Sequence, residues 1–302
     1  SGYRGSNPCP AAKNMKELKW KIGEVEIFQI VELEAGKIIQ SILPDATPKN
    51  IKSINWLKPH FADEEGNLKA LVQAFLVKSE GKTVLIDTCN GNDKVRTDIP
   101  EWGNLQTDFL EKLRALGISE REVDIVACTH LHLDHVGWNT RLENGTWVPT
   151  FPNAKYLFVK GEYEYWSRKP EKEIADDKAA FDDSVSPIVK AELAELVEVN
   201  HKIDENITFI STPGHTPGHV SVLIKSGDER AIISGDFIHH PCQIAHPEWT
   251  MEADTMPDKA GETRQKLLNE IVDTETLLIG SHFANPVAGK VVRSKGGYRF
   301  KT

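Results

Sequence analysis

The chain has 302 residues, 39% of them hydrophobic, 27% charged and 8% aromatic. That is enough for one large core or two modest ones and too apolar for a disordered chain. The 36 Lys and Arg against 45 Asp and Glu leave a formal net charge of −9, which argues against nucleic acid as a partner, because Lys and Arg contacts to phosphate carry that affinity. No apolar run approaches the roughly 18–20 residues that span a bilayer, so a membrane protein is not expected. The four cysteines, Cys9, Cys89, Cys128 and Cys242, form no CxxC pair and are too few for a disulfide scaffold; they read as buried thiols. No signal peptide is visible. A leader already removed would leave the same sequence, so a cytoplasmic location is a default and not a deduction.

In chain order, residues 1–19 are polar and carry Gly5, Pro8 and Pro10. They read as an arm, which marks off residues 1–23 from a single domain over 24–302 and hints at a homodimer. Residues 24–33 alternate apolar and polar, as a strand does, with Val25 and Ile27 inward. Residues 45–66, with Pro48, Pro59, Trp56 and Phe61, have little periodicity and read as a long loop with a short helix at best. Residues 71–78 and 83–87 are two strands joined by a turn at Glu80-Gly81. Residues 108–116 form an amphipathic helix that Gly117 stops. Apolar strands follow at 123–128 and 154–159, then a helix over 161–168. Residues 169–183 are charge-rich and read as an exposed insert. Strands at 208–211, 220–225 and 230–234, a helix over 259–272 and a strand at 276–279 complete the series. Strands interleave with helices and no composition break divides them, so an α/β or α+β domain with layered sheets is expected.

The chemistry concentrates in Thr129–Gly137, THLHLDHVG, directly after an apolar strand. His130, His132, Asp134 and His135 put four potential metal ligands within six residues. Side chains two apart on an extended segment point the same way, so His130 and His132 can reach one cation together. A helical turn beginning near Asp134 would let Asp134 and His135 face a second. Imidazole with carboxylate suits zinc, and also manganese, cobalt or iron. Three further strands end in STPGHTPGHV (211–220), SGDF (234–237) and GSHF (280–283). Each places a His or Asp just past the carboxyl end of a strand, where α/β proteins assemble active sites.

The ordered series HxHxDH, GHTPGH, SGD and GSH resembles the metallo-β-lactamase-fold hydrolases, over roughly residues 24–300. The resemblance implies a four-layer αββα sandwich with a dinuclear site at one edge of the sheets. It implies that His130, His132 and His215 hold one divalent cation, that Asp134, His135 and His282 hold the other, and that Asp236 bridges them. Asp87 resembles the family's early Asp, which orients ligands without binding metal. His239, His240 and His246 read as supporting or structural rather than as ligands.

Within the family, Asp236 stands where the thiolate β-lactamases carry Cys. The acidic charge disfavours the nucleases, and His135-Val136-Gly137-Trp138 departs from the glyoxalase-type thioesterase pattern. The remaining likeness is to the N-acyl homoserine lactonase and methyl-parathion-hydrolase-like branch. That branch implies a small-molecule lactone or ester substrate, or a phosphotriester. Two zinc ions would activate a shared water for attack, with Asp134 or Asp236 moving its proton. The alternative of the same fold is a mononuclear iron persulfide dioxygenase or a thioesterase. Trp56, Phe61, Trp138, Tyr163, Tyr165 and Trp166 are candidate walls of the substrate pocket.

Overall fold

The computed structural model describes residues 18–294 and 296–302. The expected arm over residues 1–17 lies outside the described residues, as does the dimer hint drawn from it and Cys9. Cys89, Cys128 and Cys242 are free and buried, as expected.

Fifteen strands form two large sheets and one small hairpin among the described residues. The first sheet runs in the order β1 (Lys19–Ile22), β2 (Val25–Glu34), β3 (Leu71–Ser79), β4 (Lys82–Ile86), β5 (Ile125–Ala127), β8 (Lys155–Val159), β9 (Ala194–Val197). Its first four strands are antiparallel, and β4, β5, β8 and β9 run parallel. The second sheet runs β10 (Ile207–Ser211), β11 (Val220–Ser226), β12 (Glu229–Ile233), β13 (Leu277–Ile279), β14 (Ala288–Ser294), β15 (Gly297–Lys301), with only β12 and β13 parallel. The hairpin is β6 (Thr140–Glu143) with β7 (Thr146–Pro149). Its turn, Asn144-Gly145, has positive φ at both residues, the left-handed geometry that Asn-Gly supplies and that matches strand twist.

The two-residue period of the strands builds the layers. Phe75 and Val77 of β3 pair with Ile86 and Val84 of β4. These side chains meet Phe209, Val222, Ile224, Ala231, Ile233 and Ile279 of the second sheet in one buried cluster. The alternate residues Leu76, Leu85 and Val126 face outward, into a cluster with Phe109 and Leu113 of the helix Phe109–Ala115. On the far side, Ile232 and Leu278 meet Leu267, Leu268 and Ile271 of the helix Pro257–Ile271. Helices therefore cover the outer faces of two stacked sheets, an αββα sandwich.

Two expectations need correction. Lys19–Ile22, assigned to the arm, is β1 and pairs along β2 from Lys19↔Phe28 to Ile22↔Val25. The charge-rich stretch 169–183 is an exposed insert only in its first half, 169–175; the rest is built into the fold. The helix Ala175–Ala180 passes through a π-turn, Phe181–Val185, into the helix Ser186–Lys190, and Asp176, Asp177, Phe181, Val185 and Ile188 are buried. Asp176 and Asp183 serve there as internal acceptors. Asp176 takes the amides of Thr97, Asp98 and Ile99 at 2.6–2.9 Å, and Asp183 takes both Arg96 guanidinium nitrogens. The buried Lys94 lies between Asp183 and the ring of Trp147.

Candidate metal centre

All seven predicted ligand residues converge at one edge of the sandwich. Strand β5 ends at Ala127, and Thr129 leaves it with its amide and hydroxyl both donating to Asp87, at 2.7 and 2.9 Å. Asp87 itself closes β4 in the left-handed region, φ 57°, which Asp tolerates better than most residues. His130 and His132 then share a side, while Leu131 between them donates its amide to Glu162 at 3.3 Å. The turn Leu133–Val136 begins there, its first amide held by Asp177 at 3.0 Å. This turn delivers Asp134 and His135.

The ring nitrogens meet in two adjoining groups. His132 Nδ1 lies 3.1 Å from His130 Nε2 and 2.8 Å from His215 Nε2. His135 Nε2 lies 3.2 Å from His282 Nε2, with Asp134 oxygens 3.8 and 3.6 Å from those two nitrogens. Asp236 Oδ2 stands between the groups, 3.2 and 3.1 Å from His135 and His282, 3.6 Å from His215 and 3.9 Å from His130. All are buried except Asp134, which is partly open to solvent.

The outward-facing ring nitrogens decide the tautomers. His135 Nδ1 pairs with Asp87 Oδ2 at 2.9 Å, His215 Nδ1 with Asp254 Oδ1 at 2.9 Å and His282 Nδ1 with the Leu71 carbonyl at 2.8 Å. His130 Nδ1 meets the Thr129 hydroxyl at 3.1 Å, whose own proton goes to Asp87. Each of these partners accepts, so all four Nδ1 atoms donate and all four Nε2 lone pairs face the cluster. Bare lone pairs on His135 and His282, 3.2 Å apart, need a cation or an added proton between them, and His132 Nδ1 lies 2.8–3.1 Å from the other two ring nitrogens of its group. Tetrahedral zinc with bonds of about 2.0–2.1 Å sets its donors roughly 3.3 Å apart, close to these separations, and Asp236 Oδ1 is buried with no hydrogen-bond partner. The donor set therefore fits divalent metal.

The electrostatics are uneven. Burial pushes the His130 ring well below the usual imidazole range and His215 down to about 3. Burial also opposes charge on His135 and His282, but the carboxylates of Asp236 and Asp134, with Asp87 beside His135, outweigh it and raise both rings. Burial likewise opposes charge on Asp236, yet the His135, His282 and His239 rings hold its carboxyl well below the usual range. The carboxylate side of the centre thus attracts positive charge most strongly.

Several contributors were not read from sequence. His219, the second His of GHTPGH, accepts the Asp236 amide at 2.7 Å through Nε2 and so fixes the Asp236 backbone. Glu162 takes the amides of Leu131 and Gly218 and the Trp166 indole, tying two ligand loops together. Arg264, fully buried, donates to the carbonyls of Phe237, Pro247 and Trp249 and holds the loop that carries His239. Of the three extra histidines, His239 reaches the cluster, its Nε2 3.1 Å from Asp236 Oδ2. His240 instead bonds the Phe61 carbonyl, and His246 pairs with Glu248 at the surface.

Among the candidate pocket walls, Trp138 is buried against Phe109 with its indole on Glu32, and Phe61 sits among Phe283, Phe300 and His240. Neither reaches the centre. Trp166 does, packing edge-on against His132 with centroids 5.2 Å apart. Trp56, Tyr163 and Tyr165 are half-buried.

An αββα sandwich with a His/Asp cluster at one edge defines the class, and the chain belongs to the metallo-beta-lactamase superfamily, whose family model matches residues 70–282. Among its relatives, an N-acyl homoserine lactonase AttM of Rhizobium radiobacter is 27% identical over 175 residues, 54% of this chain and 62% of that protein. Another of Azorhizobium caulinodans is 31% identical over 51% of this chain and 59% of its own. The match thus spans about three-fifths of the curated relatives' length. Similar solved structures include AidC, a dizinc quorum-quenching lactonase in complex with a product (TM-score 0.74, 25% identity, 94% of this chain and 96% of that one). The hydrolase AbOPH, also of the beta lactamase superfamily, gives a TM-score of 0.77 at 26% identity, over 94% of this chain and 96% of its own. No helix among the described residues is long and apolar enough to cross a membrane.

Proposed function

We propose that this chain is a dinuclear metal-dependent hydrolase that opens a lactone or cleaves a related ester, with zinc as the favoured pair of ions. The observation that carries this reading is Asp236 Oδ2, within 3.1–3.9 Å of ring nitrogens from both donor groups. His130, His132 and His215 would hold one cation, Asp134, His135 and His282 the other, and Asp236 both. The lactonase relatives and the dizinc lactonase of similar fold support the same substrate class.

Bound divalent cations would supply Lewis acidity toward a carbonyl oxygen and an acidified water. The protein contributes the rest. Asp87, Leu71, Asp254 and Thr129 lock the four Nε2 donors in place. Asp236, buried and pinned through its amide by His219, keeps one geometry and is poorly placed to exchange protons with solvent. Asp134, the partly open carboxylate of the cluster, can accept a proton on one oxygen and return it to the departing alkoxide. The same parts would serve a phosphotriester.

Metal analysis and a substrate panel test the reading. The purified protein should hold two equivalents of zinc or a similar ion and turn over an N-acyl homoserine lactone or an aryl ester faster than a phosphotriester or a β-lactam. His130→Ala with His132→Ala should remove activity and lower the metal content. One iron per chain with persulfide oxidation would overturn the hydrolase assignment.

A further inference from the structure

Asp254 was silent in the sequence, lying in no motif, 39 residues past the histidine it meets. Its carboxylate is fully buried, and a buried charge requires a reason. Among the described residues it pairs with no Lys or Arg. Oδ1 lies 2.9 Å from His215 Nδ1, and Oδ2 accepts the Met251 amide at 2.9 Å. Arg264, the buried cation of this region, donates to backbone carbonyls.

The loop bearing Asp254 is clipped to the His215 backbone itself. Thr255 donates its amide to the His215 carbonyl at 2.8 Å, and Met256 to the Gly214 carbonyl at 2.9 Å. Carboxylate and imidazole are therefore held in one rigid ring of contacts. The loop is also anchored to the segment 165–173: Thr255 Oγ1 donates to Glu173 at 3.1 Å, Lys172 Nζ donates to the Thr255 carbonyl at 3.0 Å, and Tyr165 donates to the same Glu173.

Set beside the other imidazoles, the pattern becomes informative. His282 rests on a neutral carbonyl and His130 on a hydroxyl, while His135 and His215 each rest on a carboxylate. Each donor group thus contains one carboxylate-backed ring. We infer that Asp254 is the positioning residue of the three-histidine group: it takes the hydrogen bond from His215 Nδ1, commits Nε2 to the cluster and strengthens that ring as a donor, as Asp87 does for His135. The inference rests on the metal-binding reading above for its consequence, though not for the tautomer it assigns.

Two measurements test it. In metal-free protein with ¹⁵N-labelled histidine, the ring signals that disappear in His215→Gln should show the proton on Nδ1; a proton on Nε2 would overturn the assignment. In zinc titration against a chromophoric chelator, Asp254→Asn should bind one equivalent about 10–100-fold more weakly and leave the other nearly unchanged. Full affinity for both equivalents would also overturn it. The ring measurement uses no Asp254 variant, so it decides even if that substitution prevents folding. A wild type that binds fewer than two equivalents would count against the dinuclear reading instead, and the ring measurement would still decide the role of Asp254.

Discussion

Asp87→Asn is the substitution whose effect can be followed furthest, because every hydrogen on its two oxygens is accounted for. Oδ1 takes the Thr129 amide; Oδ2 takes the Thr129 hydroxyl and His135 Nδ1. Asn is the sparing choice, since Ala would add about 1–2 kcal/mol of strain at φ 57°. An amide keeps an oxygen for the Thr129 N–H and turns an NH₂ group toward the other two partners. His135 must then accept at Nδ1, which moves its proton to Nε2. The Thr129 hydroxyl must also accept and send its own hydrogen to His130 Nδ1, which likewise moves that ring's proton to Nε2. One substitution thereby places N–H on two atoms that face the cluster, one in each donor group. Loss of charge-assisted bonds of about 1.5–3 kcal/mol each, partly replaced by neutral ones, predicts metal-free protein about 2–4 kcal/mol less stable. Each affected site should weaken by about 10–100-fold. Urea unfolding of chelator-treated protein and zinc competition measure the two effects. Stability within about 0.5 kcal/mol of wild type, a change too small for a lost charged bond, together with unaltered zinc affinity would refute the proton accounting.

Three further outcomes are expected. Asp236→Asn should lose kcat by several orders of magnitude while KM moves less, the pattern of a group acting in the transition state; steady-state kinetics on the best lactone substrate would show otherwise if kcat were near normal. Gly137→Ala should be poorly tolerated, because a Cβ there would overlap the Asn90 carbonyl and force the ligand turn off the loop after Asp87. About 1–3 kcal/mol or more of stability, seen in urea unfolding, should go together with zinc affinity, and a variant with normal values for both would contradict the packing described. For His240, burial lowers the ring from 6.5 to about 4 against the opposing bond to Phe61. The unfolded ring therefore protonates at higher pH than the folded one, so this contribution is complete above pH 6.5 and lost as pH falls toward 4, at about 3 kcal/mol in all. His240→Gln should shrink the stability difference between pH 7 and pH 4.5 by about 2 kcal/mol, and an unchanged difference would place the acid sensitivity elsewhere.

The sequence disclosed those parts of the site whose donors are close in the chain or follow a strand. Strands β3, β4, β5, β8, β10, β11, β12 and β13 were legible because their apolar runs end in turn residues, and the seven clustered Asp and His because each stands just past such a run. Hidden were the residues that hold them. Asp177, Glu162 and Asp254 are acidic residues in polar surroundings, and nothing local distinguishes a carboxylate that will accept a buried amide from one that will face water. The second half of segment 169–183 misled for that reason, as Asp183 pairs with Lys94 and Arg96 and Asp176 takes the amides of residues 97–99, far away in sequence. The hairpin β6–β7 does carry a local signal, Asn144-Gly145 at its turn. His219 lies inside the GHTPGH motif and His239 just past SGDF, but spacing alone does not tell a ring that faces a cation from one that steadies its neighbour.

His130, His132, Asp134 and His135 follow β5 of the first sheet, whereas His215, Asp236 and His282 follow β10, β12 and β13 of the second. On the proposed ligand assignment neither sheet supplies the full donor set of either cation, so capture would require the two halves to be docked. Free metal would then act on the fold by mass action: at one hundred times its dissociation constant, a ligand of the native state alone adds about 2.7 kcal/mol. The seam between the sheets would become a place where the ionic composition of the surroundings is converted into mechanical integrity. Resistance to proteolysis across that seam would rise and fall with free metal, at constant protein concentration and with no change in sequence.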